Sequence, residues 1–175
     1  MSHFENHPLQ RAFVSHWLNT LSDLIADQGE VMLRAADISV PSRAVSIVLI
    51  VSERGEISAA DIAQALDQPH QLVTQRVDLL VKLGMLERAI DPQDKRRKTL
   101  LLTPIGKTQT ARLVKRLEQA SSAFAALFAE IECDLVEMSN KAAEALERTP
   151  LLARIDALAA QSIQQRDADP MGVDQ

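Results

Sequence analysis

The stretch Asp94-Lys95-Arg96-Arg97-Lys98, followed by Thr99 and then Leu100-Leu101-Leu102-Thr103-Pro104-Ile105-Gly106, decides the fold. Four consecutive cations read as a hairpin tip. They run into a strand, Thr99 to Leu102, and the strand runs into a helix start capped by Thr103-Pro104. Met85 to Ile90 reads as the partner strand, joined through the turn Asp91-Pro92-Gln93-Asp94. Upstream lie two short helix patterns, Ser58 to Asp67 and Pro69 to Leu83. Ser58-Ala59-Ala60-Asp61 is an N-cap with an acid three residues on, and Ile62, Ala63 and Leu66 supply that helix's buried face. Pro69 is expected at the first position of the next helix. Its core stripe is predicted as Leu72, Val73, Val77, Leu80 and Leu83. Gln71, Thr74, Gln75, Asp78 and Lys82 point the other way, and Gly84 ends the helix. The pattern is a helix-turn-helix carrying a β-wing, over residues 40–104.

Outward from this segment the chain reads as helix. From Pro8 to Ala36, the residues Leu9, Phe13, Trp17, Leu21, Leu24, Ile25 and Met32 recur at helical spacing. Gly29 is the weak point of that helix. Val40-Pro41 forces an extended residue and then a new start. The apolar run Ala44 to Val51 predicts a helix buried on most sides and ending near Gly55. After the wing, Leu113, Leu117, Ala120, Phe124, Leu127 and Ile131 alternate spacings of three and four, close to a heptad. A helix over 134–148 carries Leu135, Met138, Ala142 and Leu146. Thr149-Pro150 breaks it and opens another, to about Gln165. The fold class expected is mainly α with a small β-wing, as one domain over 1–175 with a disordered tail at 167–175.

Composition narrows the function. Apolar residues make up 46% of the chain, enough for a core, but only 3% are aromatic. That core must therefore be mostly Leu, Ile, Val and Ala. The apolar runs are too short for a membrane span, and no signal segment opens the chain, so a cytoplasmic protein without membrane contact is expected. A single cysteine, Cys133, excludes an intrachain disulfide. It reads either as a small apolar residue at a helix junction or as a redox sensor. No metal-ligand spacing, cofactor motif, nucleophile elbow, phosphate loop or paired-carboxylate site supports an enzyme. The net charge is -5, yet the window Arg76–Arg116 holds 11 Lys/Arg against 4 acids, so it is +7 and the remainder -12. For a surface that meets phosphates, the local sign outweighs the total.

Four pieces in order, Val73-Thr74-Gln75-Arg76-Val77-Asp78-Leu79-Leu80, Gly84-Met85-Leu86-Glu87-Arg88, Asp91-Pro92-Gln93-Asp94-Lys95-Arg96-Arg97 and Leu102-Thr103-Pro104-Ile105-Gly106, together resemble the MarR family of winged-helix transcriptional regulators. The motif-level similarity covers about Pro41 to Gly106; the flanking helices are similar in layout. The resemblance implies a homodimer on a pseudo-palindromic operator. The helices over 8–36 and 105–166 would form the dimerisation lobe, with a small-molecule pocket between the lobes. The chain departs from the family at three places: Pro69-His70 stands where a small hydroxyl residue is usual, Gln75 where Arg is frequent, and Arg76 where an apolar residue is usual.

The residues expected at double-stranded DNA are His70, Gln71, Thr74, Gln75, Lys95, Arg96, Arg97 and Lys98. Gln pairs with adenine and Thr touches a thymine methyl; His70 sits at a helix start, where backbone N–H groups favour a phosphate. By resemblance Arg96 reaches the minor groove or its phosphates, braced by Asp94. Lys95, Arg97 and Lys98 alternate direction, so not all face one surface. Family analogy places His16, Trp17, Met32 and Arg76 at an effector pocket for a small anionic or aromatic molecule. A lone Trp on an amphipathic helix, as Trp17 is, more often belongs to the core or a dimer interface. Arg76 falls inside an apolar stripe and needs a partner. Either its head snorkels to solvent or to an acid such as Asp23 or Asp27, or it holds an anion. The expected dimer interface is Leu9, Phe13, Phe124, Leu127, Phe128, Leu135, Met138, Leu146, Leu151, Leu152 and Ile155. The competing function is a winged-helix module that binds protein instead of DNA.

Overall fold

The computed structural model describes residues 6–90 and 98–168. A 3-10 turn, Gln10–Phe13, leads into α1 (Val14–Arg34). A second, Ser42–Ala44, leads into α2 (Val45–Arg54). Then come α3 (Ala59–Ala65), α4 (His70–Lys82), β1 (Leu86–Ile90), β2 (Lys98–Leu102), α5 (Pro104–Glu130), α6 (Leu135–Arg148) and α7 (Leu151–Ala168). The chain forms two compact units, one ending at Ala120 and the other beginning at Ser121, so the division falls inside α5.

The first unit is a winged helix. β1 and β2 are antiparallel, with Leu86 opposite Leu102, Arg88 opposite Leu100 and Ile90 opposite Lys98. Ile57 adds a short third edge: its N–H donates to Leu100 O at 3.4 Å, and Leu100 N–H donates back at 2.9 Å. A single bridging residue has no period, so nothing in the sequence announced it. The core gathers Leu33 of α1, Ile47, Val48 and Val51 of α2, Ile62 of α3, Val73, Val77 and Leu80 of α4, and Leu113 of α5, all essentially without solvent contact. Two members of the predicted α4 stripe do not belong to it. Leu72 is 37% exposed and Leu83 42%. Together with Leu79 they sit at spacings of seven and four, beside the line of Val73, Val77 and Leu80 rather than on it. Pro69 is the N-cap of α4, in an extended conformation, and His70 is the first helical residue.

Caps set the joints. Ser58 and Asp61 form the expected reciprocal capping box on α3. Helices α3, α4 and α5 then end alike, each by a paired turn with one left-handed residue. After α3, Gln68 N–H donates to Ala63 O (3.0 Å) and Asp67 N–H to Gln64 O (3.2 Å), with Asp67 at φ 48°. After α4, Met85 N–H donates to Leu80 O (2.9 Å) and Gly84 N–H to Val81 O (3.0 Å), with Gly84 at φ 68°. After α5, Cys133 N–H donates to Phe128 O (3.0 Å) and Glu132 N–H to Ala129 O (3.3 Å), with Glu132 at φ 52°. Cys133 is thus the half-buried residue of a helix-ending turn. Only Gly84 was legible as a stop, because glycine alone adopts this conformation without a steric cost.

The wing is closed at its base by Thr103. Its hydroxyl donates to Gly84 O at 2.6 Å and accepts from Gly106 N–H at 2.9 Å, while its own N–H donates to Met85 O at 3.1 Å. One residue therefore joins the end of α4, the start of β1 and the first turn of α5. Gly106 is required there: a Cβ on it would lie 2.1 Å from Met85 O. Gly29 also has a reason. It lets the Ser42 turn approach α1, where Ser42 N–H donates to a Glu30 carboxylate oxygen.

In the second unit, Asp134 caps α6 by accepting from Val136 and Glu137 N–H, both at 2.9 Å. The Thr149-Pro150 break before α7 is spanned by Arg154, whose guanidinium donates to Thr149 O (2.9 Å) and Ala145 O (2.6 Å). Val136, Met138, Leu146, Leu151, Leu152, Ile155 and Leu158 are all at least half exposed.

Candidate nucleic-acid interface

Helix α4 buries one line, Val73, Val77 and Leu80, and this fixes what it shows to solvent. Gln71, Gln75, Asp78 and Lys82 lie opposite the buried line and are exposed. His70, at the helix start, is exposed too, and Thr74 is half-buried at the margin. The Thr74 hydroxyl donates to His70 O at 2.9 Å. Its proton is thus committed to the backbone, which leaves the methyl as the group suited to a thymine contact. Among the described residues nothing hydrogen-bonds the side-chain amides of the two glutamines, each of which has two donors and a carbonyl acceptor.

The wing stem is registered to this helix. Arg88 of β1 is bonded to the Asp78 carboxylate of α4. Both side chains are about half exposed, so the pair adds little stability. Its effect is directional: Arg88 shows which face of the hairpin looks toward α4. Side chains on paired strands share faces in register, so Ile90 and Lys98 lie on the same face as Arg88. Lys98 is exposed there. A cation is therefore placed on the same face of the hairpin as the Arg88 that reaches α4. Lys95, Arg96, Arg97 and the bracing Asp94 lie outside the described residues. The sequence reading missed the Asp78–Arg88 tie, although both residues stood in the quoted motifs; their spacing of ten carries no local signal.

The expected effector residues have separate surroundings. His16 and Trp17 meet edge to face, ring centroids 5.4 Å apart, and Trp17 borders a shallow hollow of about 310 Å³ with Gln10, Arg11 and Val14. Met32 packs on the core. Arg76 is half-buried and donates through a guanidinium NH to Gln68 Oε1 at 2.7 Å. The acids offered as its partners are placed differently: Asp23 pairs with Arg43, which ties α1 to the turn before α2. A cavity of about 400 Å³ is lined by Glu30, Arg34 and residues 37–41, none of them in the expected set. Gln109 of α5 braces that loop, accepting from Ser39 N–H (3.1 Å) and donating to Asp37 O (3.3 Å).

Of the expected interface residues, Leu9, Leu127, Met138, Leu146, Leu151, Leu152 and Ile155 are exposed apolar groups. Phe13, Phe124, Phe128 and Leu135 are half-buried, with the Phe124 and Phe128 rings 6.0 Å apart. Along α5 the stripe passes from fully buried at Leu113 to 44% exposed at Ile131. Helix α1 carries a second uncovered line, Val14, Leu18, Leu21 and Ile25. Among the described residues no three His, Cys, Asp or Glu side chains are grouped to hold a metal, and no helix is long and apolar enough to cross a membrane.

Residues 37–97 match the model of the MarR family. No curated protein matches the sequence. Among solved structures, the chain is similar to the PcaV transcriptional regulator from Streptomyces coelicolor in complex with its natural ligand (TM-score 0.60, 18% identity, covering 83% of this chain and 97% of that one). It is similar to MepR of S. aureus in a DNA complex (TM-score 0.56, 18% identity, 79% and 95%). A third is the heme sensor PefR from Streptococcus agalactiae in complex with heme (TM-score 0.54, 18% identity, 85% and 97%). At these identities the likeness is one of fold, and the fold is the winged helix expected from the hairpin and the two short helices.

Proposed function

We propose that this chain, whose residues 37–97 match the MarR family, is a sequence-specific DNA-binding transcriptional regulator. In this reading it acts in the cytoplasm as a homodimer on a pseudo-palindromic operator and answers to a small effector. The observation that carries the reading is the row Gln71, Thr74 and Gln75 on α4, tied through Asp78 and Arg88 to a hairpin whose near face holds Lys98. Amides and a methyl are the groups that read base edges, and the basic window supplies phosphate contacts. Pairing of two chains is supported by the apolar side chains left in solvent on α1, α5, α6 and α7, more than a monomer ordinarily exposes.

The effector part of the reading rests on the family match alone. An anion held by Arg76 would share the guanidinium with Gln68 Oε1, which takes one of its five N–H donors. The proposed effector residues are His16, Trp17, Met32 and Arg76.

The test is selection of bound duplexes from a random pool, followed by shift assays at two salt concentrations. The expected outcome is an enriched palindrome with half-sites about 10 bp apart, bound at about 10⁻⁸ to 10⁻¹¹ M and weakening as salt rises. No enriched sequence, or binding indifferent to salt, would overturn it. A winged-helix module that docks protein is the second reading. The half-exposed Leu72, Leu79 and Leu83 beside the amide row favour it, and the same salt test separates the two.

A further inference from the structure

Helix-turn-helix units present their second helix through a turn of very few residues, so whatever fixes that turn also fixes the pose of the reading face. Here the turn is Asp67-Gln68-Pro69. Asp67 is left-handed, at φ 48°, a conformation uncommon for a residue with a Cβ, though Asp tolerates it better than most. The turn usually gains an apolar contact from the second residue after the helix cap. That residue is Gln68, which has no apolar side chain to give. Its Oε1 instead accepts from the Arg76 guanidinium at 2.7 Å, eight residues on and two turns into α4, with both side chains half-buried. By spacing, the Arg76 stem lies along the stripe of Leu72, Leu79 and Leu83, between the buried line and the amide row. Pro69 supplies no N–H and makes no side-chain cap to the first turn of α4.

We propose that Arg76 is a positioning residue: through Gln68 it locks the turn between α3 and α4, and so sets the angle at which Gln71 and Gln75 meet base edges. This rests on the DNA-binding reading and adds a specificity determinant that touches no base. It also accounts for a cation at a position where an apolar residue is usual, since the polar Gln68 and the cationic Arg76 are complementary departures.

The experiment uses the full chain and two readouts. The first needs no DNA: hydrogen exchange of the Asp67 and Gln68 amides. The second is the ratio of affinity for the selected operator to affinity for random duplex. Arg76→Met and Gln68→Leu should each speed the two amides about tenfold and lower the ratio about tenfold, with random-duplex binding unchanged. Gln68→Glu keeps an acceptor for the guanidinium and should behave as wild type. The Gln68→Leu, Arg76→Met double variant should recover most of the ratio by making an apolar contact. Folded single variants with wild-type exchange and wild-type ratio would overturn the proposal. If exchange speeds up but the wild-type protein itself prefers no sequence, the DNA-binding reading fails and the proposed role in specificity falls with it; the lock on the turn is upheld.

Discussion

Replacing Gly106 by alanine should destabilise the protein by about 2 to 4 kcal/mol, against the ordinary expectation for a helix. In a helix, Ala is favoured over Gly by about 0.5–1 kcal/mol. At this position the added Cβ would stand 2.1 Å from Met85 O, 3.1 Å from Met85 C and 3.2 Å from Leu102 Cδ2. The nearest of these is a backbone atom that cannot rotate away. Relief requires α5 and the start of β1 to part by about 1 Å, a crowding that typically costs about 1–3 kcal/mol. The same movement stretches the Thr103 bonds to Met85 O and Gly84 O, which are worth roughly 0.5–1.5 kcal/mol each. These losses outweigh the propensity gain. The assay is urea denaturation at fixed protein concentration, with the midpoint compared at constant slope. Gly29→Ala is the control. Its nearest obstacle is the Ser42 hydroxyl, which can turn aside, so its effect should stay within about 1 kcal/mol. A midpoint for Gly106→Ala at or above wild type would refute the claim that Gly106 exists to let the wing stem approach.

Thr74→Val keeps a methyl on the surface and should preserve any thymine preference, whereas Thr74→Ser should lose roughly 0.8 kcal/mol of it; a library of single-base operator variants reads the difference. Lys98→Ala should weaken binding to all duplexes alike and reduce the salt slope by about one, as seen in titrations across ionic strength. Ending the chain after Arg148 removes Leu151, Leu152 and Ile155 and the Arg154 clamp on α6, so sedimentation should show a loss of dimer or aggregation. A soluble, full-affinity dimer from that truncation would exclude α7 from the interface.

What the sequence disclosed follows from which interactions are local. The capping box at Ser58, the stop at Gly84 and the break at Thr149-Pro150 each lie within a few residues of their cause, and all were readable. Leu72 and Leu83 misled because a helix pattern states which residues are apolar, whereas burial depends on what packs beside them. The ties that orient the candidate interface were hidden. Arg88 to Asp78, Arg76 to Gln68, Gln109 to the 37–39 loop and Ile57 to Leu100 join residues 8 to 72 positions apart. None has a period or a motif of its own. Arg76 was flagged as out of place, yet its partner proved to be an amide in the adjacent turn rather than an acid on another helix.

The Thr103 junction bears on how a winged helix of this kind diversifies. The hairpin is held at its root by bonds that involve none of residues 91–97, and Ile57 holds its second strand from outside. The root of the hairpin is therefore fixed by residues outside the segment that joins its strands. On the proposed DNA-binding reading, overall grip on the double helix and choice of letters become separate dials, set by different segments. A lineage, or an engineer exchanging that seven-residue insert, can turn the first without disturbing the second.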